Sequence, residues 1–260
     1  MRILMLGDIV GKPGRRAVQA TLDKVKEEWE IDFTVANGEN AAGGNGITRE
    51  IADELFDSGI DVLTMGNHVW DKKEIFSFID QEPRILRPAN YPPGTPGRGA
   101  GVFKTNKDKI GIISLSGRVF MGENLDCPFR TAEAVANKLK EEVKIVLVDF
   151  HAEATSEKIA LGWHLAGRVA AVCGTHTHVL TADERVLPPG TAYISDLGMT
   201  GPRDSVLGVN TETVVKKFLT QLPTRFEVAS GPYQLNGVVL TVNTQTGIAT
   251  EIVRISINEE

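Results

Sequence analysis

Five strand-like runs of four to six residues, each closing on small or metal-competent side chains, leave this 260-residue chain few ways to fold. The runs are Arg2–Leu6, Phe33–Ala36, Ile60–Thr64, Val143–Val148 and Val169–Cys173. Between them the apolar period changes to that of a helix. Arg16 to Trp29 sets Val18, Leu22, Val25 and Trp29 on one face. Thr48 is placed to cap a helix carrying Ile51, Leu55 and Phe56 that stops at Gly59, and Ser156 to Leu165 reads as another helix. Strand and helix in alternation predict an α/β fold whose mostly parallel sheet is covered on both faces. The C-terminal part changes character. Arg225–Ala229, Leu235–Val242 and Ala249–Ile257 are β-rich and joined by Ser-Gly-Pro and Thr-Gln-Thr-Gly turns, so a meander or second sheet is expected, with two sheets sharing a core. Arg87 to Gly101 is the one long irregular stretch, of a length that suits a lid, a binding loop or a disordered segment.

Composition narrows the functional classes. The 42% apolar and 24% charged content describes an ordinary globular chain, and no linker divides it, so residues 1–260 are expected to form one domain. The 28 Lys and Arg are interleaved with 34 Asp and Glu for a net charge of −6, which provides no surface for stable nucleic-acid or membrane binding. No apolar run suits a membrane span or a signal peptide, so a cytoplasmic protein is expected. Cys127 and Cys173 are too few for a disulfide framework and form no Cys-x-x-Cys pair.

The polar residues collect where strands end. Gly7-Asp8 follows the first run, Asn37-Gly38-Glu39-Asn40 the second and Gly66-Asn67-His68 the third. Asp149 to Glu153, with His151, follows the fourth, and Gly174-Thr175-His176-Thr177-His178 the fifth. Ligands of parallel sheets bind beyond the carboxyl ends of the strands, so the spacing predicts that these loops converge on one site. Asp, Glu, Asn and His without cysteine suit iron, manganese, zinc or cobalt. The candidates exceed what one ion needs. Two ions about 3.5–4 Å apart, bridged by Glu39 or Asp8, would use them all. Two divalent ions, two carboxylates and a bridging hydroxide leave a charge near +1, which matches a phosphodiester monoanion. His68 can then protonate the leaving alcohol unless it is a ligand itself.

Taken singly, each residue has a plainer reading. Asp8, Asn37 and Asn40 are common turn or cap residues, and only the His176-x-His178 pair, facing one way in an extended segment, is informative alone. Gly7 to Pro13 is one residue short of a P-loop and has Pro13 where a hydroxyl must stand. Gly44-Asn45-Gly46 continues to Arg49 where a dinucleotide fingerprint needs glycine.

Gly7-Asp8, Gly66-Asn67-His68, His151 and Gly174-x-His176-x-His178 resemble the calcineurin-like metallophosphoesterases. Two departures matter: the first motif lacks its histidine two positions after Asp8, and Asn37-Gly38-Glu39-Asn40 replaces Gly-Asp-x-x-Asp. The longer strings Gly7-Asp8-Ile9-Val10-Gly11, Gly66-Asn67-His68-Val69-Trp70-Asp71, His151 to Lys158 and Asp196-Leu197-Gly198-Met199-Thr200-Gly201 are similar to the YmdB-type branch. That resemblance implies a four-layer α/β/β/α sandwich of two mixed sheets flanked by helices. It further implies hydrolysis of 2′,3′-cyclic nucleotides through a metal-bridging hydroxide at a dinuclear centre, with iron first, manganese next and zinc a further option. Carried over by position, Asp8, Glu39, Asn40 and His178 hold one ion, Glu39, Asn67, His151 and His176 the other, and His68 is the catalytic proton donor. Lys12 to Arg16, Arg118 and Ser156-Glu157-Lys158 are further candidates for substrate contact. The implied partner is a small cyclic nucleotide, and a homo-oligomer stays open. The alternatives are a nucleotide or phosphoprotein phosphomonoesterase and a non-catalytic nucleotide-binding regulator.

Overall fold

The computed structural model describes residues 1–259. The chain starts with β1 (Arg2–Leu6), β2 (Asp8–Ile9), α1 (Gly11–Glu28), β3 (Phe33–Asn37), α2 (Arg49–Asp57) and β4 (Val62–Thr64). Two 3-10 turns, Asn67–Trp70 and Lys73–Ser77, lead to β5 (Ile85–Leu86). Next come β6 (Ala100–Lys104), β7 (Lys109–Ser116), α3 (Pro128–Leu139), β8 (Ile145–His151), α4 (Thr155–His164), β9 (Ala171–Thr175), β10 (Arg185–Leu187) and β11 (Thr191–Ile194). The last elements are β12 (Met199–Pro202), α5 (Thr211–Thr220), β13 (Tyr233–Val242) and β14 (Ala249–Asn258).

Two mixed sheets result. The first runs β2-β12-β13-β1-β3-β4-β5, with β14 beside β13, and the second runs β10-β11-β9-β8-β7-β6. Alternation along each strand then builds four layers. Ile3 and Met5 of β1 pack against the second sheet's Ile145 and Leu147, while Leu4 and Leu6 face Val18 and Leu22 of α1. On the far side, Val146, Val148 and Phe150 of β8 meet Ala132 and Ala136 of α3 and Leu161 of α4. The fold is thus the expected α/β/β/α sandwich, and among the described residues no helix is long and apolar enough to cross a membrane.

Several sequence expectations need correction. The strand-end loops converge from two sheets, not from one edge, because β8 and β9 lie in the second sheet while β1, β3 and β4 lie in the first. The C-terminal strands form no separate sheet. β13 inserts antiparallel between β1 and β12, since its run of buried apolar residues completes the inter-sheet core. Arg225–Ala229 is not a strand; only Val228 makes an isolated bridge, to Val209. α1 begins at Gly11 rather than Arg16, because Pro13 is accepted in a first turn whose N–H groups have no helical partner. Thr48 caps α2 as read, accepting from the Ile51 N–H at 3.4 Å. Periodicity assigns no element to residues 100–139, which hold β6, β7 and α3.

The stretch after Arg87 is organised by that residue. Its guanidinium, 9% exposed, donates to the carbonyls of Pro88 at 2.7 Å, Pro96 at 2.9 Å and Thr95 at 3.2 Å. A loop folded on one buried cation is a fixed connector between sheets. We predict that Arg87→Leu strands these carbonyls and makes residues 88–98 a site of rapid limited proteolysis, while the same digestion of the wild type leaves them intact.

Candidate metal centre

The inter-sheet core changes from apolar to polar at the carboxyl ends of the strands. On β8, Ile145 and Leu147 face the other sheet, and the same alternation carries Asp149 and His151 onto that face. Asn37 is paired in register with Thr64, and His151 with Thr175, so the ends of β3, β4, β8 and β9 supply one buried polar group. Asp149, 1% exposed, is its hub, accepting from Thr64 Oγ1, from Thr175 Oγ1 at 2.7 Å and from Asn37 Nδ2 at 3.1 Å. Burial raises its carboxyl above the usual range, and these donors counter that rise.

All eight residues singled out from the sequence are brought to this end of the sandwich. Asp8 comes from β2, Glu39 and Asn40 from the turn after β3, Asn67 and His68 from the 3-10 turn after β4. His151 ends β8, and His176 and His178 follow β9. Glu39, His151 and His176 offer three ligand atoms all within 4.8 Å of one another. Nε2 of His151 lies 2.9 Å from Asn67 Oδ1, 3.1 Å from Glu39 Oε1 and 3.0 Å from His176 Nδ1. Asn40 Nδ2 stands 3.3 Å from His178 Nε2, which is 3.9 Å from Asp8 Oδ1.

The donor set fits cations for two reasons. One nitrogen of His151 cannot serve three neighbours with a single proton, whereas a cation among them can satisfy all. Asp8 Oδ1 is a fully buried carboxylate oxygen with no hydrogen-bond partner among the described residues. Such an oxygen is costly unless a positive charge completes it.

Each histidine is also oriented for this role by its other nitrogen. Thr175 donates its hydroxyl proton to Asp149, so it accepts from Nδ1–H of His151 at 3.0 Å and leaves Nε2 turned to the cluster. His178 Nδ1 faces the Leu207 carbonyl at 3.0 Å, an acceptor only, so that nitrogen carries the proton. His176 turns Nε2 to the Glu153 carboxylate at 3.2 Å. His68 differs: its Nδ1 is held at 2.8 Å by Asp71, and its backbone N–H donates to Glu39 Oε2 at 3.1 Å.

Electrostatics follow from burial and proximity. Burial pushes Asp8 up to about 6, although His178 and His151 pull it down. Burial also raises Glu39, but the charge and hydrogen bond of His151 outweigh it and hold the carboxyl at about 2. His151 is lowered by burial, yet Glu39, Asp8 and Asp149 lift it to about 9. Burial and the neighbouring His151 drop His176 to about 3.

Sequence reasoning missed the supports. The His176-Thr177-His178 turn has positive φ at both histidines, 101° and 64°, a strain on the order of 1–3 kcal/mol each. Asp196 holds it, accepting from the Thr177 N–H at 3.0 Å and from Thr177 Oγ1 at 2.7 Å. The buried Lys158 neutralises Asp196 at 2.7 Å. Lys158 is therefore a scaffold residue rather than a substrate contact, and Glu157 likewise accepts from the N–H groups of Arg118 and Val119. Arg15 is engaged by Glu54 and the Ala41 carbonyl, and Arg16 by Glu259. None of these lines the site cavity. The signal for Asp149 and Asp196 was present only as strand parity and a lone acid after an apolar run. Gly66 is required by close approach, since a Cβ there would fall 2.2 Å from His151 Cδ2 and 2.4 Å from Glu39 Oε2.

A cavity of about 640 Å³ opens over the cluster, lined by Glu39, Asn40, His68, Glu153, His176 and His178 together with the apolar Leu207, Val209, Phe226 and Val228. Residues 4–255 match the YmdB-like proteins. The chain belongs to that family. A Bacillus subtilis (strain 168) protein named 2′,3′-cyclic-nucleotide 2′-phosphodiesterase is 52% identical over 260 residues, covering 100% of this chain and 98% of its own. A solved structure of a hypothetical protein from Thermus thermophilus is 40% identical and superposes with TM-score 0.93, with 100% of both chains covered. The crystal structure of a novel phosphatase from Mycoplasma pneumoniae gives 0.94 at 35% identity, covering 100% of this chain and 94% of that one. The sandwich of this YmdB-like chain is of the metallophosphoesterase type.

We predict that loading the metal-free protein with manganese near pH 7 releases about one proton per chain, because His151, at about 9, must lose its proton while Asp8, at about 6, is mostly ionised already. Affinity accordingly rises from about pH 7 to about pH 9. Calorimetry in buffers of different ionisation enthalpy measures the release, and uptake with no proton released would show that His151 does not bind the metal.

Proposed function

We propose that this chain is a metal-dependent phosphodiesterase that opens 2′,3′-cyclic nucleotides at a two-ion centre. The observation that carries the reading is the partnerless buried Asp8 Oδ1 beside the converging Glu39, His151 and His176. The relative from Bacillus subtilis, at 52% identity, supplies the substrate class. Asp8, Glu39, Asn40 and His178 would hold one ion, and Glu39, Asn67, His151 and His176 the other, with Glu39 shared. Iron or manganese suits this set, since Asn40, its amide turned to present Oδ1 in place of the Nδ2 that faces His178, would be a harder donor than the imidazole it replaces. Bound ions supply Lewis acidity and a water activated at neutral pH.

The chain's own residues do the rest. Asp149, through Thr175, keeps His151 in one tautomer, and Asp196 fixes the strained turn that presents His176 and His178. His68 lines the cavity and donates Nδ1–H to Asp71, whose carboxylate would stabilise the imidazolium form; from that form Nε2–H would pass its proton to the departing ribose 2′-oxygen. Water adds to phosphorus, the 2′-oxygen leaves with that proton, and the product is a 3′-monoester. The chain acts as one domain in the cytoplasm, where the unpaired Cys127 and Cys173 stay reduced.

Turnover of 2′,3′-cyclic AMP tests the reading. Glu39→Gln is expected to lower kcat/KM roughly 100-fold or more, and equal, negligible rates in wild type and variant would sink the enzyme assignment. His68→Ala is expected to lower kcat by about 100- to 10,000-fold at unchanged metal content. If elemental analysis shows that metal falls with it, His68 is a ligand and the proton donor lies elsewhere.

A further inference from the structure

The cavity has a second half that the chemistry at the cluster does not use. We infer that Phe226, beside Leu207, is a stacking platform for the substrate's nucleobase, which makes the site tolerant of base identity and favours purines through ring area. The inference rests on the diesterase reading above and names the recognition element within the same site.

Three observations carry it. First, the cavity of about 640 Å³ falls in the range that holds a small organic ligand, and its lining adds to the cluster residues the apolar Leu207, Val209, Phe226 and Val228, a wall for the base of a nucleotide whose phosphate sits at the cluster. Second, that wall exposes large apolar side chains, Phe226 at 52% and Leu207 at 49%, although neither belongs to a core cluster. Among the described residues no other aromatic ring pairs with Phe226, so both the ring and its neighbourhood are open to a ligand. Third, the wall is rigidly tied to the cluster. Leu207 sits at φ 52°, a conformation disfavoured for a branched side chain, and its carbonyl accepts from His178 Nδ1–H at 3.0 Å. Val228, two residues from Phe226, is wedged between two glycines: a Cβ would come within 3.0 Å of it at Gly11 and 2.9 Å at Gly44.

Apart from the Glu227 carboxylate, the polar side chains that line the cavity beside the cluster are already engaged, which argues for stacking over reading of base edges. Asn45 donates to Asp71 and accepts from Lys72. Thr177 donates to Asp196, and Glu153 faces His176. An aromatic face accepts every base and gains most from the larger ring system.

The test compares 2′,3′-cyclic AMP, 2′,3′-cyclic UMP and the baseless methyl riboside 2′,3′-cyclic phosphate on wild-type, Phe226→Ala and Phe226→Trp proteins loaded with manganese. Wild type is expected to favour cyclic AMP over the baseless diester by about 5- to 20-fold in kcat/KM, expressed in KM, with cyclic UMP between them. Phe226→Ala should collapse that preference towards one, and Phe226→Trp should restore it. Wild type that turns over the diesters with a preference Phe226→Ala does not alter overturns the platform alone. Wild type that hydrolyses none of the three overturns the diesterase reading, and the platform with it.

Discussion

The site depends on a buried carboxylate placed between two sheets. Asp149 draws Thr64 and Asn37 from one sheet and Thr175 from its own, and these bonds close the polar end of an otherwise apolar core. A charge with 1% exposure would be costly alone, but its three donors make it a strut instead. Because Thr175 then must accept from His151, the same strut sets which nitrogen of that histidine faces the cluster. Fold stability and ligand geometry are therefore parts of one hydrogen-bond network, which makes substitutions here non-additive.

A similar economy governs the histidine turn. His176 and His178 stand on a turn of unfavourable backbone conformation, and the cost is met by the buried Lys158–Asp196 pair, whose acid also receives the Gly198 N–H at 2.8 Å. The Gly198 carbonyl in turn accepts from the Asp8 N–H at 3.1 Å. Asp196 consequently links the histidine turn to the strand that presents Asp8. A residue outside the cluster thus controls the spacing of two groups that come from opposite sheets.

The cluster residues were legible because they are a chemical pattern: His, Asn and acids directly after short apolar runs are hard to explain as turns when five runs end this way. The helices α1, α2 and α4 were legible for a similar reason, their apolar faces being periodic. Lys158 was not, because a cation near a functional string looks alike in sequence whether it meets a substrate or a buried acid such as Asp196. Arg225–Ala229 reads as a strand from its side chains, yet strand formation requires a partner edge, and only Val209 provides one. Arg87 likewise gave no sign that it would gather three carbonyls, since hydrogen bonds to backbone carry no residue code.

The sequence alone determined the strand and helix alternation and which eight polar side chains follow the strands, seven nitrogen or oxygen donors and His68, since these follow from side-chain type and local periodicity. Tertiary structure decided that the loops come from two sheets rather than one. It also decided that β13 enters the first sheet, that Asp149 and Asp196 hold the clustered side chains in place, and that Phe226 lines the same cavity as the cluster. These outcomes rest on pairing and burial between residues far apart in the chain, such as Asn37 and Asp149 at 3.1 Å, and no local pattern specifies which distant surfaces meet.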